Sequence, residues 1–390
     1  MTSTPAILGG SPAFPESLPL VRPTIPDIPR LAARLQRVLE SGILTNAGTV
    51  RELEARVAER CGVDHVVAVS GCTAGLMLTL RALGATGRVV MPSFTFAASA
   101  HAVHWVGGTP DWAEVDPVRL TLDPADAATL VDGASAMTAT HVYGAPCQVD
   151  ELQRLADDAG IPLVYDSAHA LGSSHNGVPC GGFGTAEVFS MSPTKVAVAG
   201  EGGLVATNDA GLAAEVRIGR DYGNPGTYDC EFPGLNARMS ELHAAVALAS
   251  LDGLDERIAY RNELVATFKT ATASVPGLSF QHVPDGDVST YKDLTLVIDA
   301  EPFGLTAEEL GRALKAEGID SRRYYFPPIH QQKAYAHLPR SRELPVTDAV
   351  ATSVLTPPLY SHMTPEQVRR VADVVVAAHG SAERICSALG

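Results

Sequence analysis

The sequence predicts an α/β protein in which a mostly parallel sheet carries helices on both faces and a smaller α+β domain follows. Short apolar strands alternate with helical stripes of apolar residues up to residue 210, and this alternation is typical of parallel sheets. With 390 residues, the chain is also longer than a single hydrophobic core usually organises. We therefore expect an N-terminal arm at 1–30, a large domain at 31–250 and a small domain at 251–390.

Composition argues against several classes of function. The formal net charge is −15, which disfavours nucleic acid and anionic membranes as partners. The six cysteines include no pair with the close spacing of a zinc or thioredoxin-like site, so we expect reduced thiols and no metal. Because the chain shows neither a secretory signal nor a long apolar run, we expect a cytoplasmic protein without a membrane span.

The first elements are predicted from proline content and helical spacing. Residues 1–30 are rich in proline and indicate an extended arm, packed over the domain or across a subunit boundary. A capping box at Thr49–Glu52 precedes Leu53, Val57 and Cys61, which repeat at helical spacing. This segment is expected to be a helix with one buried face.

The next strand leads into a candidate phosphate site. A strand at 65–70 runs through Gly71–Gly75 into a helix that closes at Gly84. A strand that enters a helix through small residues leaves backbone N–H groups and the positive end of the helix dipole exposed, an arrangement that binds phosphate. The alternative is that Thr73 caps the helix and that no ligand binds there.

Two further strands are followed by residues suited to an aromatic cofactor. Phe96 lies after a strand at 88–91 and either covers a flat ring or packs in the core. Another strand, 161–165, ends in Asp166, and in open α/β sheets the carboxyl ends of strands face the ligand cleft. Asp166 either pairs with a cationic ring nitrogen or caps a helix. His169 either lies beside the ring or bonds to backbone.

The remaining elements follow from periodicity and capping signals. A loop at 233–240 leads into a helix, and a long helix around 251–262 bridges to the small domain. The others are strands at 137–142 and 291–298, a helix from a capping box at Thr306–Glu309 through Leu314, and a last helix beginning at Thr364–Gln367.

Lys195 is the residue around which we expect the chemistry to be organised. It is the only lysine in the first 268 residues, and the uncharged segment 196–200 follows it. Burying an unpaired ammonium costs several kcal/mol or lowers its pKa, whereas a lysine bound as an imine has no such charge to desolvate. This pattern favours a Schiff-base lysine over one whose stem packs on the surface while its amine reaches water.

The other lysines are weaker candidates for this role. Lys292 is the rival, but the adjacent Asp293 favours its charged form. We expect the remaining three to be solvated, namely Lys269, Lys315 and Lys333.

The order and spacing of these residues resemble a known family. Thr73, Phe96, Asp166, Ser190 and Lys195 occur in the pattern of pyridoxal phosphate-dependent aminotransferases of fold type I. Within them, the chain is most similar to the DegT/DnrJ/EryC1/StrS family of sugar and aminocyclitol aminotransferases. The resemblance implies a seven-stranded sheet, pyridoxal 5'-phosphate that cycles through pyridoxamine 5'-phosphate, and a homodimer with shared active sites.

The resemblance also implies a role for each matched residue. Lys195 would hold the cofactor and move its proton, and Asp166 would keep the pyridine nitrogen protonated. The phosphate would be bound by Thr73, Ala74, Ser190 and the partner's Asn236, the ring would be contacted by Phe96 and His169, and the nucleotide sugar by Arg238 and His330.

Other positions bear on the substrate. Arg322 and Arg323 precede Tyr324 and Tyr325, and they would meet a diphosphate and stack on a base or sugar, although arginines on an exposed turn are the alternative. Cys72 departs from the family pattern, because many members have glycine there.

The resemblance implies that an amino group passes from an amino acid, by analogy L-glutamate, to a nucleotide-linked keto sugar in deoxyamino sugar and antibiotic biosynthesis. The Arg322–Pro328 segment is most similar to members that aminate carbon 4 of a dTDP-4-keto-6-deoxyhexose. The alternatives are a C-3 keto-sugar or aminocyclitol aminotransferase, a dehydratase, and a non-catalytic cofactor-binding regulator. Lys195 argues against a dehydratase, since relatives with that activity carry histidine in its place.

Overall fold

The protein is described by a computed structural model that covers residues 4–24, 27–338 and 342–390. Its strands are β1 His65–Val69, β2 Arg88–Pro92, β3 Thr109–Ala113, β4 Ala136–Thr140, β5 Leu163–Asp166, β6 Ser174–His175, β7 Val178–Pro179, β8 Ala186–Ser190, β9 Gly203–Thr207, β10 Leu278–Phe280, β11 Leu296–Ile298 and β12 Val354–Leu355. Its α-helices are α1 Ile28–Ser41, α2 Gly48–Cys61, α3 Cys72–Ala82, α4 Ala97–Trp105, α5 Pro124–Ala127, α6 Val149–Ala159, α7 Ala210–Gly219, α8 Glu241–Leu251, α9 Leu254–Ala271, α10 Ala300–Phe303, α11 Ala307–Ala316, α12 Pro345–Ser353, α13 Pro365–His379 and α14 Ala382–Leu389.

The central sheet has seven strands in the order β1-β9-β8-β5-β4-β2-β3. The five strands from β8 to β3 run parallel, and β9 is antiparallel to both of its neighbours. Helices cover the two faces, because the parallel strands are buried on both sides and need crossover connections. The predicted mostly parallel sheet of seven strands is confirmed.

The start of helix α2 differs from the prediction. Its N-cap is Ala47, which offers no capping side chain, and Thr49 lies inside the helix, so the capping box predicted at Thr49–Glu52 is wrong. The carboxylate of Glu241, at the start of α8, accepts the N–H groups of Ala47 at 2.7 Å, Thr49 at 2.6 Å and Val50 at 3.1 Å. A distant acid thus satisfies the donors that a local hydroxyl was expected to cap.

Helix α3 begins at Cys72 directly after β1, and no side chain caps it. The alternative that Thr73 serves as a cap is therefore wrong. The helix lies tightly on the sheet, since a Cβ added to Gly75 would come within 2.8 Å of a Val188 methyl group. Its free N–H groups consequently face the carboxyl ends of β5 and β8.

The chain after α8 builds a three-stranded antiparallel sheet, β10-β11-β12, covered by helices. The strand predicted at 291–298 is limited to Leu296–Ile298, and α9 is longer than the predicted 251–262. The capping boxes at Thr306 and Thr364 are confirmed, with both reciprocal hydrogen bonds present. Helix α13 is not the last helix, because α14 follows it.

The N-terminal arm packs on this C-terminal layer. The Glu317 carboxylate accepts the N–H groups of Ala6 and Ala13, each at 2.7 Å, and Leu18 forms a parallel bridge with Ile319. Residues 1–3 and 25–26 of the predicted arm lie outside the described residues, and the domain boundaries stay a prediction. No helix in the described ranges is long and apolar enough to cross a membrane.

Candidate active site

The carboxyl ends of the parallel strands open onto a cavity of about 190 Å³, here called the reactive cavity. Asp166 ends β5, Ser190 ends β8, and Lys195 lies in the loop between β8 and β9. Parallel strands place their carboxyl ends at one edge of the sheet, so residues distant in sequence meet there. The cavity brings together most of the predicted cofactor residues: Thr73, Phe96, Asp166, His169, Ser190 and Lys195, with Tyr325 from the C-terminal region.

Asp166 is buried and firmly oriented at the floor of this cavity. One carboxylate oxygen accepts the Ser99 hydroxyl at 2.5 Å, and the other accepts the Ala168 N–H at 3.1 Å and faces the Cys72 thiol at 3.8 Å. Turns rather than a helix follow Asp166, so the alternative that it caps a helix is wrong. Hydrogen bonds to both oxygens hold a carboxylate in a fixed orientation.

Lys195 places its amine in the cavity, close to other cations. Burial lowers the pKa of Lys195 from 10.5 to about 8, and the nearby charge of Lys292 acts in the same direction. A surface lysine with its amine in water would keep its ordinary pKa, so this position favours the Schiff-base interpretation.

His169 lies in the same cavity with a nitrogen left open. Its Nδ1 is buried and has no hydrogen-bond partner among the described residues. Burial, and then the charges of Lys195 and Lys292, hold the pKa of His169 well below its usual range. The imidazole is therefore neutral and can contact a protonated ring without charge repulsion.

The start of α3 faces the same cavity. Gly71, Cys72 and Thr73 line the cavity, while Ala74 lies one position further along the first turn and outside the lining. Ser190 contributes its hydroxyl from the end of β8. Free N–H groups at a helix start together with a hydroxyl are suited to bind an anion such as phosphate.

Phe96 lies at the mouth of the cavity and is 61% exposed, so the alternative that it is a core residue is wrong. Thr95, Phe96 and Tyr325 also line a second, larger cavity of about 780 Å³, here called the basic cavity. These three residues form a wall common to both cavities.

The basic cavity is lined by Arg312, Lys315, Arg322 and Arg323. The Arg323 guanidinium lies 3.7 Å from the Phe326 ring centroid and donates to the Thr352 carbonyl at 3.0 Å. Arg322 forms an ion pair with Asp320 at 2.9 Å. Several cations around one cavity attract an anionic group even in a protein with a negative net charge.

Three predicted residues lie outside these cavities. His330 is buried, with Nδ1 2.7 Å from the Ser93 hydroxyl and Nε2 3.2 Å from Asp348, and it lines neither cavity, so its place on the substrate side stays a prediction. Arg238 lines neither cavity and pairs with Asp221 at 3.0 Å. Asn236 is exposed and also lies outside both cavities, and its predicted contact belongs to the partner's cofactor.

Sequence reasoning gave Ser99 and Lys292 no role in the site, and it expected Lys269 to be more exposed than it is. Ser99 binds Asp166 from 67 positions away, and no local signal in the sequence links the two. Lys292 is paired with Asp293 at 2.8 Å as expected, but it is also buried close to Lys195. Lys269 is only partly solvated, since it is half-buried, its amine lies 5.3 Å from the Phe280 ring centroid, and burial lowers its pKa.

Comparisons with known proteins agree with this geometry. Residues 28–376 match the model of the DegT/DnrJ/EryC1/StrS aminotransferase family. A UDP-N-acetyl-3-dehydro-alpha-D-glucosamine 3-aminotransferase from Acidithiobacillus ferrooxidans is 35% identical over 86% of this chain and 89% of its own. A dTDP-4-amino-4,6-dideoxy-D-glucose transaminase from Escherichia coli is 27% identical over 93% of this chain and 98% of its own.

A solved structure covers nearly the whole chain. The crystal structure of DesI in the presence of its TDP-sugar product superposes with a TM-score of 0.93 and 39% identity, covering 99% of each chain. The architecture is thus that of fold type I, as the sequence predicted. This chain belongs to the DegT/DnrJ/EryC1/StrS aminotransferase family and is a pyridoxal phosphate-dependent aminotransferase.

Proposed function

We propose that this enzyme transfers an amino group from L-glutamate to carbon 4 of a keto sugar carried on a nucleotide, with dTDP-4-keto-6-deoxyglucose as acceptor. The observation that carries the proposal is the wall formed by Thr95, Phe96 and Tyr325, which joins a cavity with a reactive lysine to a larger one with basic residues. The reactive cavity is suited to amine chemistry, and the basic cavity is suited to bind the anionic diphosphate of a nucleotide sugar.

The reactive cavity fits pyridoxal phosphate. Lys195 offers an amine with a lowered pKa, and Asp166 offers an oriented carboxylate for a ring nitrogen. The open, buried Nδ1 of His169 needs a polar partner that a ring substituent would supply. Phosphate would be bound by the first N–H groups of α3, Thr73 and Ala74, and by the Ser190 hydroxyl.

The residues of the reactive cavity are proposed to have separate roles in the amino-group transfer. When bound, the cofactor supplies an aldehyde that takes up the donor's amino group and a ring that withdraws electrons. Lys195, as a neutral amine, would take the proton from the α-carbon of the donor and deliver it to the cofactor's C4′, and with the keto sugar it would carry a proton in the opposite direction, from C4′ to the sugar carbon. Asp166 would hold the ring nitrogen protonated, and Phe96 would cover one face of the ring and exclude water.

The basic cavity is proposed to bind the nucleotide diphosphate. Arg323 is held in place by Phe326 and Thr352, so it would present its remaining donors to phosphate without losing side-chain freedom on binding. Tyr325, which lines both cavities, would contact the sugar between the diphosphate and the amine.

Three of the similar proteins bear on the sugar and on the position that is aminated. The Escherichia coli relative is named for a 4-amino sugar, and DesI was solved with a TDP-sugar product, which supports a dTDP sugar. The Acidithiobacillus relative is named for carbon 3. We favour carbon 4 because the Arg322–Pro328 segment resembles members with that specificity.

The acceptor is tested with the pyridoxamine form of the enzyme. Incubation with dTDP-4-keto-6-deoxyglucose should give the 4-amino-4,6-dideoxy sugar, followed by NMR. Amination at carbon 3, or turnover of a keto-inositol that lacks a nucleotide, would identify the alternative aminotransferases. Loss of water without a gain of amine would identify a dehydratase, and an absorbance that does not respond to glutamate would indicate a non-catalytic regulator.

We also propose a homodimer in which each chain completes the other's site. Asn236 is exposed beside β1 and lines neither cavity of its own chain, so it is free to reach a neighbouring cofactor. Mixing inactive Lys195→Ala with Asn236→Ala chains should restore part of the activity, because one hybrid site then has both residues intact. No recovery in mixtures that form hybrid dimers would contradict shared sites.

A further inference from the structure

The segment 290–293 holds a second lysine close to Lys195. Lys292 is almost fully buried, at 5% exposure. Its N–H donates to the Tyr143 carbonyl at 2.9 Å, and its own carbonyl accepts from the buried Arg261 guanidinium at 2.9 Å. The backbone is thus fixed on both sides, and the position of the side chain follows from it.

The Lys292 ammonium is held in one orientation. It donates to both oxygens of Asp293, at 2.8 and 3.1 Å, and lies 5.4 Å from the Tyr324 ring centroid. A bidentate pair next to an aromatic face fixes the position of the ammonium group.

Lys292 and Lys195 line the same small cleft, together with Arg261, and Lys195 also lines the reactive cavity. Several charged and titratable groups act on the Lys195 amine or line the two spaces that Lys195 lines. They are Lys292 and Asp293 before β11, Asp166 and His169 at and after the end of β5, Cys72 at the start of α3, Glu201 before β9, Arg261 on α9, Arg22 on the arm, Tyr325 after α11 and Tyr360 after β12. Burial weakens screening by water, so a cation fixed here acts strongly on a neighbouring amine.

We propose that Lys292 is a positioning residue for the reaction: its ammonium, fixed on Asp293, acts through the cleft to keep the Lys195 amine uncharged and therefore able to bond a carbonyl and accept a proton. The pKa of Lys195, lowered to about 8 by burial and then by Lys292, is in line with this arrangement. Lowering an amine's pKa with a nearby cation is a known way to activate a lysine. The inference rests on the proposed function, since it concerns the amine that holds the cofactor.

The test measures the pKa of Lys195 directly in the full-length, cofactor-free chain. The rate at which acetic anhydride labels Lys195 is followed against pH by mass spectrometry of its peptide. The wild-type midpoint should lie at about 8. Lys292→Met should raise it by about one unit, the low end of what a single close charge produces.

Three variants separate charge from packing. Lys292→Arg keeps a cation and should keep the midpoint, whereas Lys333→Met removes an exposed lysine and should change nothing. The double variant Lys292→Met with Asp293→Asn leaves no unpaired charge, so it should fold even where the single variant does not. It should show a smaller upward shift, because the opposing effect of Asp293 is removed as well.

An unchanged midpoint in both folded Lys292→Met and the double variant, or an equal shift in Lys292→Arg, would overturn the inference. Borohydride reduction of the cofactor-loaded Lys292→Met chain separates this failure from that of the proposed function. A mass tag on Lys195 with an unshifted midpoint removes only the role of Lys292. A tag on another peptide removes the proposed function itself.

Discussion

Lys195 differs from an ordinary lysine in the pH range over which it is reactive. Its pKa of about 8, set by burial and by Lys292, leaves a substantial uncharged fraction near neutral pH. We predict that the rate at which the cofactor-free chain captures pyridoxal phosphate rises about tenfold per pH unit up to about 8 and then levels off. Stopped-flow absorbance measures this rate, and Lys195→Ala is the control that should capture none. A rate that keeps rising towards pH 10.5 would show an unperturbed amine.

Asp166 is expected to act on catalysis more than on binding. An amide in its place keeps the shape but supplies no negative charge to the ring nitrogen, so Asp166→Asn should lower the transamination rate by about 10²-fold or more. Single-turnover kinetics with glutamate measure it. The matched change Asp157→Asn, at an exposed position on α6, should leave the rate unaltered. If both variants lost the same rate, the effect would come from the change in the protein's net charge and not from the position of Asp166.

At the level of residues, sequence reasoning reached the groups that have their own signature. A lone lysine and an acid at the end of a strand were predicted, and both line the reactive cavity. Ser99 and Lys292 were assigned no part in the site, because their roles depend on contacts between distant elements. His330 lies in a segment that resembles the family, but its side chain is almost fully buried.

At the level of elements, helix α2 depends on a residue of another helix. The Glu241 carboxylate accepts three backbone N–H groups at its start, and although burial opposes ionisation, these bonds lower its pKa below 4.5. Glu241→Gln should reduce the free energy of unfolding by about 1–2 kcal/mol at neutral pH, as the loss of a good cap does. Urea denaturation measures this change.

The sign of the pH dependence provides the check on Glu241. Because its folded-state pKa is lowered, its stabilisation is present above pH 4.5 and is lost as the pH falls through the lowered value. The difference between wild type and Glu241→Gln should therefore shrink in acid. Glu309→Gln is the matched control and should have little effect, because Gln367 already performs the same capping function at α13. A difference that does not change with pH would contradict a role for the carboxylate's charge.

The elements that sequence predicted best are those whose signals are local. The capping boxes of α11 and α13 lie within four residues of chain, and both are present. The capping box at Thr49 is absent because Glu241 supplies a carboxylate, a stronger acceptor than a hydroxyl, from a distant position. Strand β11 is shorter than predicted because Tyr291 takes a φ of 42° and Lys292 bonds to Tyr143 instead of a neighbouring strand.

At the level of the whole molecule, the basic cavity is expected to serve only the half-reaction with the nucleotide sugar, whereas the reactive cavity serves both half-reactions. Arg323→Ala should raise KM for the nucleotide sugar about tenfold to a hundredfold, the value of one charge-assisted hydrogen bond, and should leave the half-reaction with glutamate intact. Steady-state and single-turnover kinetics measure the two effects. Arg154→Ala, an exposed arginine on α6, is the control. An equal loss of rate in both half-reactions would show that Arg323 does not act only on the nucleotide sugar in the basic cavity.

The common wall of Thr95, Phe96 and Tyr325 has a consequence for how such an enzyme could diversify. A substitution in that wall to admit a new sugar would also disturb the surface on which we propose that the cofactor ring packs, so a change of specificity there should also lower turnover. Changes at Arg312 or Lys315, which line only the larger space, would leave the ring undisturbed. Evolution and engineering alike would therefore find new acceptors most readily on the far side of the basic cavity.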